Sequence, residues 1–280
     1  MRLGTIRLDG NVTDTRAVRV EGGELVVLDF SDVGQLLAAE ALEDVATLDG
    51  QRVPMAEADW APLITEPGKI ICVGVNYRDH AIEMGSELPK YPTCFSKFTE
   101  ALIGANDDLH LPHPDVSVRN DWEAELCVVM GSHARHVTKE EAVDHVAGYT
   151  VFNDFSVRDW QKRTSQFLLG KTFEHASALG PVMTTADELG DGSGLAIRSA
   201  VNGVVKQESN TDQLVFGVAE LISVISTAVT LAPGDLIATG TPGGVGAGRD
   251  PQEWLVDDDT LTITIEGIGE IENRCVVANL

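Results

Sequence analysis

Positive charge is what this sequence has least of. Against 44 Asp and Glu stand only 20 Lys and Arg, a formal net charge of −24 at pH 7. A surface with that balance repels phosphate backbones and anionic headgroups, so neither nucleic acid nor a membrane surface is an expected partner. Any anionic ligand needs a local exception. Cysteine is scarce too: the 4 cysteines, Cys72, Cys94, Cys127 and Cys275, show no CxxC spacing. Three lie in apolar strand-like runs, so they read as buried free thiols of a reducing compartment rather than disulfides or zinc ligands. A membrane-length apolar run is missing, because the longest stretch, from Leu214 to Ala232, is broken by Glu220, Ser223, Ser226 and Thr227. The N-terminus alternates like a strand and lacks the apolar core of a signal peptide. The cytoplasm is the expected location.

Also absent are a repeat at solenoid period and the regular strand–helix alternation of a doubly wound sheet. What remains is an α+β, β-rich chain, expected as a small N-terminal α+β domain over residues 1–65 and a catalytic domain over 66–280. Within the first part, Leu3–Leu8, Ala17–Val20 and Glu24–Asp29 read as short strands, and Ser31 as the cap of a helix over Gln35–Leu42. Glu66-Pro67-Gly68 is a turn signal at the boundary. Beyond it, Lys69–Val73, Glu125–Met130, Tyr149–Asn153, Ile197–Val201 and Leu236–Thr239 read as strands. Thr138 and Glu141 form a capping box ahead of Ala142–Val146, and Thr211 or Asp212 precedes a helix over Leu214–Ile225. Asn202-Gly203 predicts a tight hairpin, and a second hairpin joins Thr260–Ile265 to Glu270–Val276 around Gly267 and Gly269.

The sharpest chemical feature is Asp121-Trp-Glu-Ala-Glu125, which runs into the apolar Leu126–Met130. Along a strand, Glu123 and Glu125 share a face at roughly 7 Å backbone separation, while Trp122, Ala124, Leu126 and Val128 take the other. Two like charges entering a buried strand are costly unless something cationic sits between them. Asp154 closes a second apolar strand. Three carboxylates without an accompanying Cys or His pattern suit a hard divalent cation, Mg²⁺ first, then Mn²⁺ or Ca²⁺. The pattern alone is equally consistent with a solvated strand face and a helix-capping Asp154.

Three further clusters stand out. His80 and Glu83, at i and i+3 on a short helix, could form a base oriented by a carboxylate, or a plain solvated pair. Arg158, Gln161 and Lys171 are the local exception to the acidic surface that an anionic substrate requires, unless Arg158 simply pairs with Asp159 or another surface acid. The segment Thr239-Gly240-Thr241-Pro242-Gly243-Gly244-Val245-Gly246 has no GK[ST], and Pro251 and Trp254 stand where a helix should open, so a phosphate loop is excluded. Gly240 and Thr241 could instead bring backbone N–H groups and a hydroxyl to a small ligand, or the stretch is a plain turn.

In this order and spacing, the segments resemble the fumarylacetoacetate hydrolase family over residues 68–273. The stretches that carry the likeness are Val-Gly-Val-Asn-Tyr-Arg-Asp-His at 73–80, Asp-Trp-Glu-Ala-Glu-Leu at 121–126, Gly-Tyr-Thr-Val-Phe-Asn-Asp at 148–154, Arg-Asp-Trp-Gln at 158–161, Gly-Lys-Thr-Phe at 170–173 and Pro-Gly-Asp-Leu-Ile-Ala-Thr-Gly-Thr-Pro at 233–242. The resemblance implies a mixed β-sandwich roll, a homodimer, and Mg²⁺ or Mn²⁺ (Ca²⁺ in crystals) held by Glu123, Glu125 and Asp154. It implies His80 and Glu83 as a catalytic dyad on a lid, Lys171 as a catalytic cation, and Arg158, Gln161, Gly240 and Thr241 around a small 2-oxo acid. The expected activity is metal-dependent hydrolysis of a C–C bond in an acylpyruvate, fumarylpyruvate-like diacids included, in aromatic catabolism. Oxaloacetate decarboxylation and 2-hydroxyhepta-2,4-diene-1,7-dioate isomerisation are alternatives on the same site, and a catalytically silent, ligand-binding relative is a further one.

Overall fold

A computed structural model describes residues 1–278 apart from Asp9, Met84 and Ser86. The chain starts with β1 (Arg2–Leu8), β2 (Asn11–Glu21), β3 (Glu24–Val27), α1 (Val33–Ala38), β4 (Arg52–Pro54) and β5 (Asp59–Trp60). Then come β6 (Ile70–Val73), α2 (Arg78–Glu83), β7 (Cys94–Ser96), β8 (Leu102–Ile103), β9 (Leu109–Leu111), β10 (Asn120–Asp121) and β11 (Ala124–Met130). The middle holds α3 (Lys139–Ala142), β12 (Val146–Asn153), β13 (Ser156–Val157), α4 (Arg158–Gln161), α5 (Leu168–Lys171), β14 (Ser177–Thr185) and α6 (Ala186–Leu189). The last part holds β15 (Ala196–Val201), β16 (Val204–Asn210), α7 (Val218–Ala228), β17 (Leu236–Ala238), β18 (Thr260–Ile265) and β19 (Gly269–Val277).

A 12-stranded mixed sheet runs in the order β4-β3-β2-β1-β14-β12-β11-β17-β6-β7, with β5 on β1 and β8 on β14. A 5-stranded sheet, β16-β15-β18-β19-β9, packs its inner face on β11, β12 and β14, and β10 pairs with β13. The fold is therefore the β-rich mixed sandwich that the sequence predicts. Alternation along β11 shows how it is built. Trp122, Ala124, Leu126 and Val128 enter the core between the two sheets, with Tyr149, Ile197 and Ile263. Cys127 and Val129 point to the opposite face, into a second core closed by Leu36 and Leu37 of α1. Glu123 and Glu125 have the parity of that second face.

Residues 1–65, expected as a domain of their own, contribute to both cores. Leu3 of β1 sits opposite Met183 of β14, so the N-terminal strands continue the large sheet without a break. The hairpin at Asn202-Gly203 forms with φ of 51° and 75°, the left-handed pair such a turn needs. The capping box of Thr138 and Glu141 is present at the start of α3.

Several expected details shift. Asp32, not Ser31, caps α1 through the Gln35 N–H, and α1 ends at Ala38. The helix expected from Leu214 starts at Val218, because Asn210 caps a 3-10 turn over Thr211–Gln213 that uses up the earlier signal. Cys94 is exposed, while Cys72, Cys127 and Cys275 are buried free thiols. Among the described residues no helix is long and apolar enough to cross a membrane.

Leu3 is fully buried. Its truncation to Ala should cost about 2–5 kcal/mol and move the urea unfolding of the whole chain as one transition, followed by tryptophan fluorescence and far-UV circular dichroism. Two separate transitions, with only one moved, would show residues 1–65 to be an independent unit.

Candidate active site

The β11–β12 ladder brings the carboxylates together. Its pairing continues past Ala124, where the Asp154 N–H donates to the Glu123 carbonyl at 3.0 Å and the Glu123 N–H to Asn153 Oδ1 at 3.2 Å. Glu123 and Asp154 are thereby placed side by side. Glu125 sits one residue into β11 and accepts the Gly240 N–H at 2.9 Å, just beyond the end of neighbouring β17. All three are buried, and one oxygen from each lies within 4.8 Å of the others.

Cations surround them. Lys171, at the end of α5, donates to Glu123 Oε2 and Asp154 Oδ2, both at 2.7 Å. Arg158, at the start of α4, reaches Glu123 Oε1 and Asp121 Oδ2, each at 2.7 Å. Asp159 is not its partner: that side chain accepts from Ser117 instead. Lys97, just after β7, donates to Asp154 Oδ1 at 2.5 Å and to the Phe155 carbonyl at 3.0 Å, with no exposed side-chain surface.

Four buried carboxylates thus face three buried cations, and the charge that is left over falls on Glu125. Burial pushes its carboxyl well above the ordinary range, and Asp154 and Glu123 add to the effect. Glu123 differs. Burial would raise it too, but Lys171 and Arg158 outweigh that and hold it down to about 2. Lys171 is held above its usual range because Asp154 and Glu123 outweigh its own desolvation. A buried carboxylate cluster with a surplus negative charge and an all-oxygen donor set fits a hard divalent cation.

On the opposite side, α2 carries His80, which is nearly buried and has Nδ1 at 3.2 Å from Glu83 Oε2. A carboxylate at Nδ1 favours the proton there and leaves Nε2 as the basic nitrogen. Asn76 ties this segment to the sheet by donating to the Phe216 and Thr239 carbonyls and accepting the Phe216 N–H. A cavity of about 210 Å³ lies between the two sides, lined among others by His80, Phe95, Glu123, Glu125, Arg158 and Lys171. That is smaller than a drug-sized pocket and suits a ligand of a few carbon atoms. Arg158 and Lys171 bring positive charge to its wall, and among the described residues the buried Arg158 Nη2 has no hydrogen-bond partner.

Gln161 and Thr241 also line the cavity. Gln161 Oε1 accepts from Arg158 Nη1 at 3.0 Å, leaving the amide N–H groups of Gln161 for a ligand. The Thr241 hydroxyl donates its proton to the Ala124 carbonyl and accepts from Gln207, so it has no donor left for a ligand. Gly240, expected beside the substrate, spends its N–H on Glu125.

Lys97 and Asp121 belong to the site but have no role in the sequence reading. Lys97 follows a short edge strand with no pattern around it. Asp121 lies within the carboxylate motif, and the signal was its place before Trp122. It accepts from Arg158 Nε and from the Gly246 and Ala247 N–H groups, so it joins the cation to the glycine-rich loop.

The chain is similar to known proteins in sequence and in fold. Residues 69–276 match the family described as fumarylacetoacetate (FAA) hydrolase, C-terminal. The mitochondrial oxaloacetate tautomerase of Bos taurus is 45% identical over 226 residues, 80% of this chain and 71% of its own. The crystal structure of fumarylacetoacetate hydrolase from Exiguobacterium antarcticum superposes with a TM-score of 0.87 at 30% identity, covering 99% of this chain and 100% of the other. Maleylpyruvate hydrolase from Sphingobium sp. SYK-6, solved with manganese(II) and pyruvate, superposes with a TM-score of 0.80 at 29% identity, with both chains covered in full.

The two glutamates should respond oppositely to neutralisation. In metal-free protein at neutral pH, Glu125→Gln should leave stability unchanged or raise it. A carboxyl whose folded pKa is raised costs stability once pH exceeds its unfolded value, and an amide removes that cost. Glu123→Gln should destabilise, since its depressed carboxyl stabilises at neutral pH and the change leaves Lys171 and Arg158 underpaired. Denaturant midpoints check the signs. Calorimetric titration with Mn²⁺ should show binding weakened in Glu125→Gln by more than the about 10–100-fold typical of groups outside the ligand set.

Proposed function

The chain belongs to the fumarylacetoacetate hydrolase family, and from that premise we propose that it is an enzyme of small 2-oxo acids that interconverts the keto and enol forms of oxaloacetate or a similar diacid. The observation that carries this reading is the meeting, around one small cavity, of Glu123 and Glu125 from a three-carboxylate cluster, the Arg158 side chain and the carboxylate-oriented His80. The 45% identity to an oxaloacetate tautomerase supports the choice of substrate.

Glu123, Glu125 and Asp154 would hold Mg²⁺ or Mn²⁺, which when bound supplies Lewis acidity to a 2-oxo group and stabilises negative charge developing on its oxygen. The Arg158 guanidinium and the Gln161 amide, both on the cavity wall, bind a substrate carboxylate by hydrogen bonds, charge-assisted at Arg158. His80 Nε2 takes a proton from the carbon beside the keto group and gives it to the keto oxygen, which yields the enol, and the reverse transfer restores the keto form, while Glu83 holds the ring in place. Lys171 adds positive charge close to the developing enolate. Phe95 and Phe167, packed edge to face at 5.6 Å, form an apolar wall that keeps water from the intermediate. A homodimer, a cytoplasmic location and the absence of nucleic-acid or membrane partners belong to the same reading, the last supported by the acidic surface.

Hydrolysis of an acylpyruvate is the second reading, favoured by the same His80–Glu83 pair. That pair suits deprotonation of water as well as of carbon. The water would attack the distal carbonyl, and the C–C bond would break with pyruvate enolate as the leaving group.

Product mass separates the readings when the Mg²⁺- or Mn²⁺-loaded protein is given enol-oxaloacetate, acylpyruvates and unsaturated seven-carbon diacids. Enol loss at unchanged mass is the expected result. Two fragments would mark a hydrolase, release of CO₂ a decarboxylase, and no acceleration on any substrate would overturn the assignment. His80→Gln should lower kcat by about 10²–10⁴, whereas Arg158→Lys should act mainly on KM.

A further inference from the structure

We infer that Gly248 is a positioning residue for the lid: the side chain it lacks leaves the space in which the Glu83 carboxylate sits, and the loop 243–248 is the receiver for α2. The inference rests on the proposed reading only in taking His80 as the base that Glu83 orients.

Three N–H groups of this loop are taken by the protein's own carboxylates. Gly244 donates to Glu83 Oε1 at 2.9 Å, and Gly246 and Ala247 donate to Asp121 at 2.6 and 3.0 Å. A glycine-rich loop that resembles a ligand cradle in sequence is therefore filled from within. Its glycines do different work. A Cβ on Gly244 or Gly246 would stand 2.1 Å from the Lys206 carbonyl oxygen or 2.0 Å from that of Glu253, so those positions serve the close approach of neighbouring backbone. Among the described residues, Gly248 has no backbone carbonyl this close. Its Cβ would meet the Glu83 side chain, at 2.4 Å from Cδ and 2.7 and 2.8 Å from the two oxygens.

Gly248 is also outside the left-handed region, in a short 3-10 turn over Gly246–Gly248, so its backbone accepts alanine. A methyl group there displaces the end of one flexible side chain and little else. That side chain is the link between lid and base. Glu83 holds His80 at 3.2 Å and the loop at 2.9 Å, and Arg249, whose guanidinium donates to the Gly244 and Lys206 carbonyls, faces it with positive charge. The rest of α2 is attached elsewhere, Asp79 accepting from Ser209 and Arg78 donating to the Asp212 carbonyl. Displacing Glu83 thus frees the C-terminal end of α2 and leaves its start in place.

The test is a double-mutant cycle of Gly248→Ala and Glu83→Ala, read by amide hydrogen exchange and by turnover. Gly248→Ala should keep the unfolding midpoint and speed exchange at the C-terminal end of α2 by about tenfold. It should also lower kcat toward that of Glu83→Ala with KM little changed. Adding Gly248→Ala to Glu83→Ala should change neither readout further. Effects that multiply in the double variant, or α2 exchange that does not move, would overturn the inference. Should Gly248→Ala fail to fold, a folded double variant would still place the clash at Glu83, and an unfolded one would place it in the backbone and refute the seat. A wild-type protein silent on every 2-oxo acid defeats the functional reading, while the exchange arm still decides the role of Gly248.

Discussion

Charge compensation in the buried interior governs this part of the molecule. Strands β11 and β12 carry Glu123, Glu125 and Asp154 to buried positions beside the cavity, and Asp121 is buried beside them. Charged carboxylates in such places are costly unless cations compensate them. Lys97, Lys171 and Arg158 meet that demand from three separate segments. Two of these arrive on helices of 4 residues, α4 and α5, too short to be stable alone. Ion pairs hold Arg158 and Lys171 in place as much as the helices present them. The result is a rigid cluster with one negative charge too many, which a divalent cation would turn into one positive charge too many, suited to an anionic substrate.

Asp121 connects the two sides of the pocket. Its carboxylate orients Arg158, which faces the ligand space, and it also anchors the loop that grips Glu83. The base and the carboxylate-binding guanidinium therefore share a support, although they sit on opposite walls. A shift in the loop is felt by both. This arrangement makes backbone amides serve as structural ties, where the same amides in other glycine-rich loops face a phosphate.

Much of this was legible in residue order, and the reason is local physics. The two-residue period from Trp122 to Met130 correctly assigns one set of side chains to each core, because the pleat of a strand leaves no other choice. Asn202-Gly203 states its turn through its φ preference, and Thr138 with Glu141 its helix start. Where two signals compete, the reading slips: Asn210 caps a 3-10 turn and delays α7 to Val218, and Asp32 outcompetes Ser31. Lys97 was invisible because its meaning lies in Asp154, 57 residues away. The glycine-rich loop was visible but not interpretable, since composition does not say which carboxylates will claim its amides.

The sheet order also sets the order in which the pocket can be completed. β17 enters between β11 and β6, and the bond from Gly240 to Glu125 spans 115 residues, that from Gly244 to Glu83 161. Such links have no local precursor, and closing them is slow compared with forming a turn or a hairpin. The segment bearing His80 is made early and its receiver late. During synthesis α2 has no anchor for Glu83 until the loop 243–248 has left the ribosome, so a product cut short before that loop carries the carboxylates and the dyad with Glu83 unanchored.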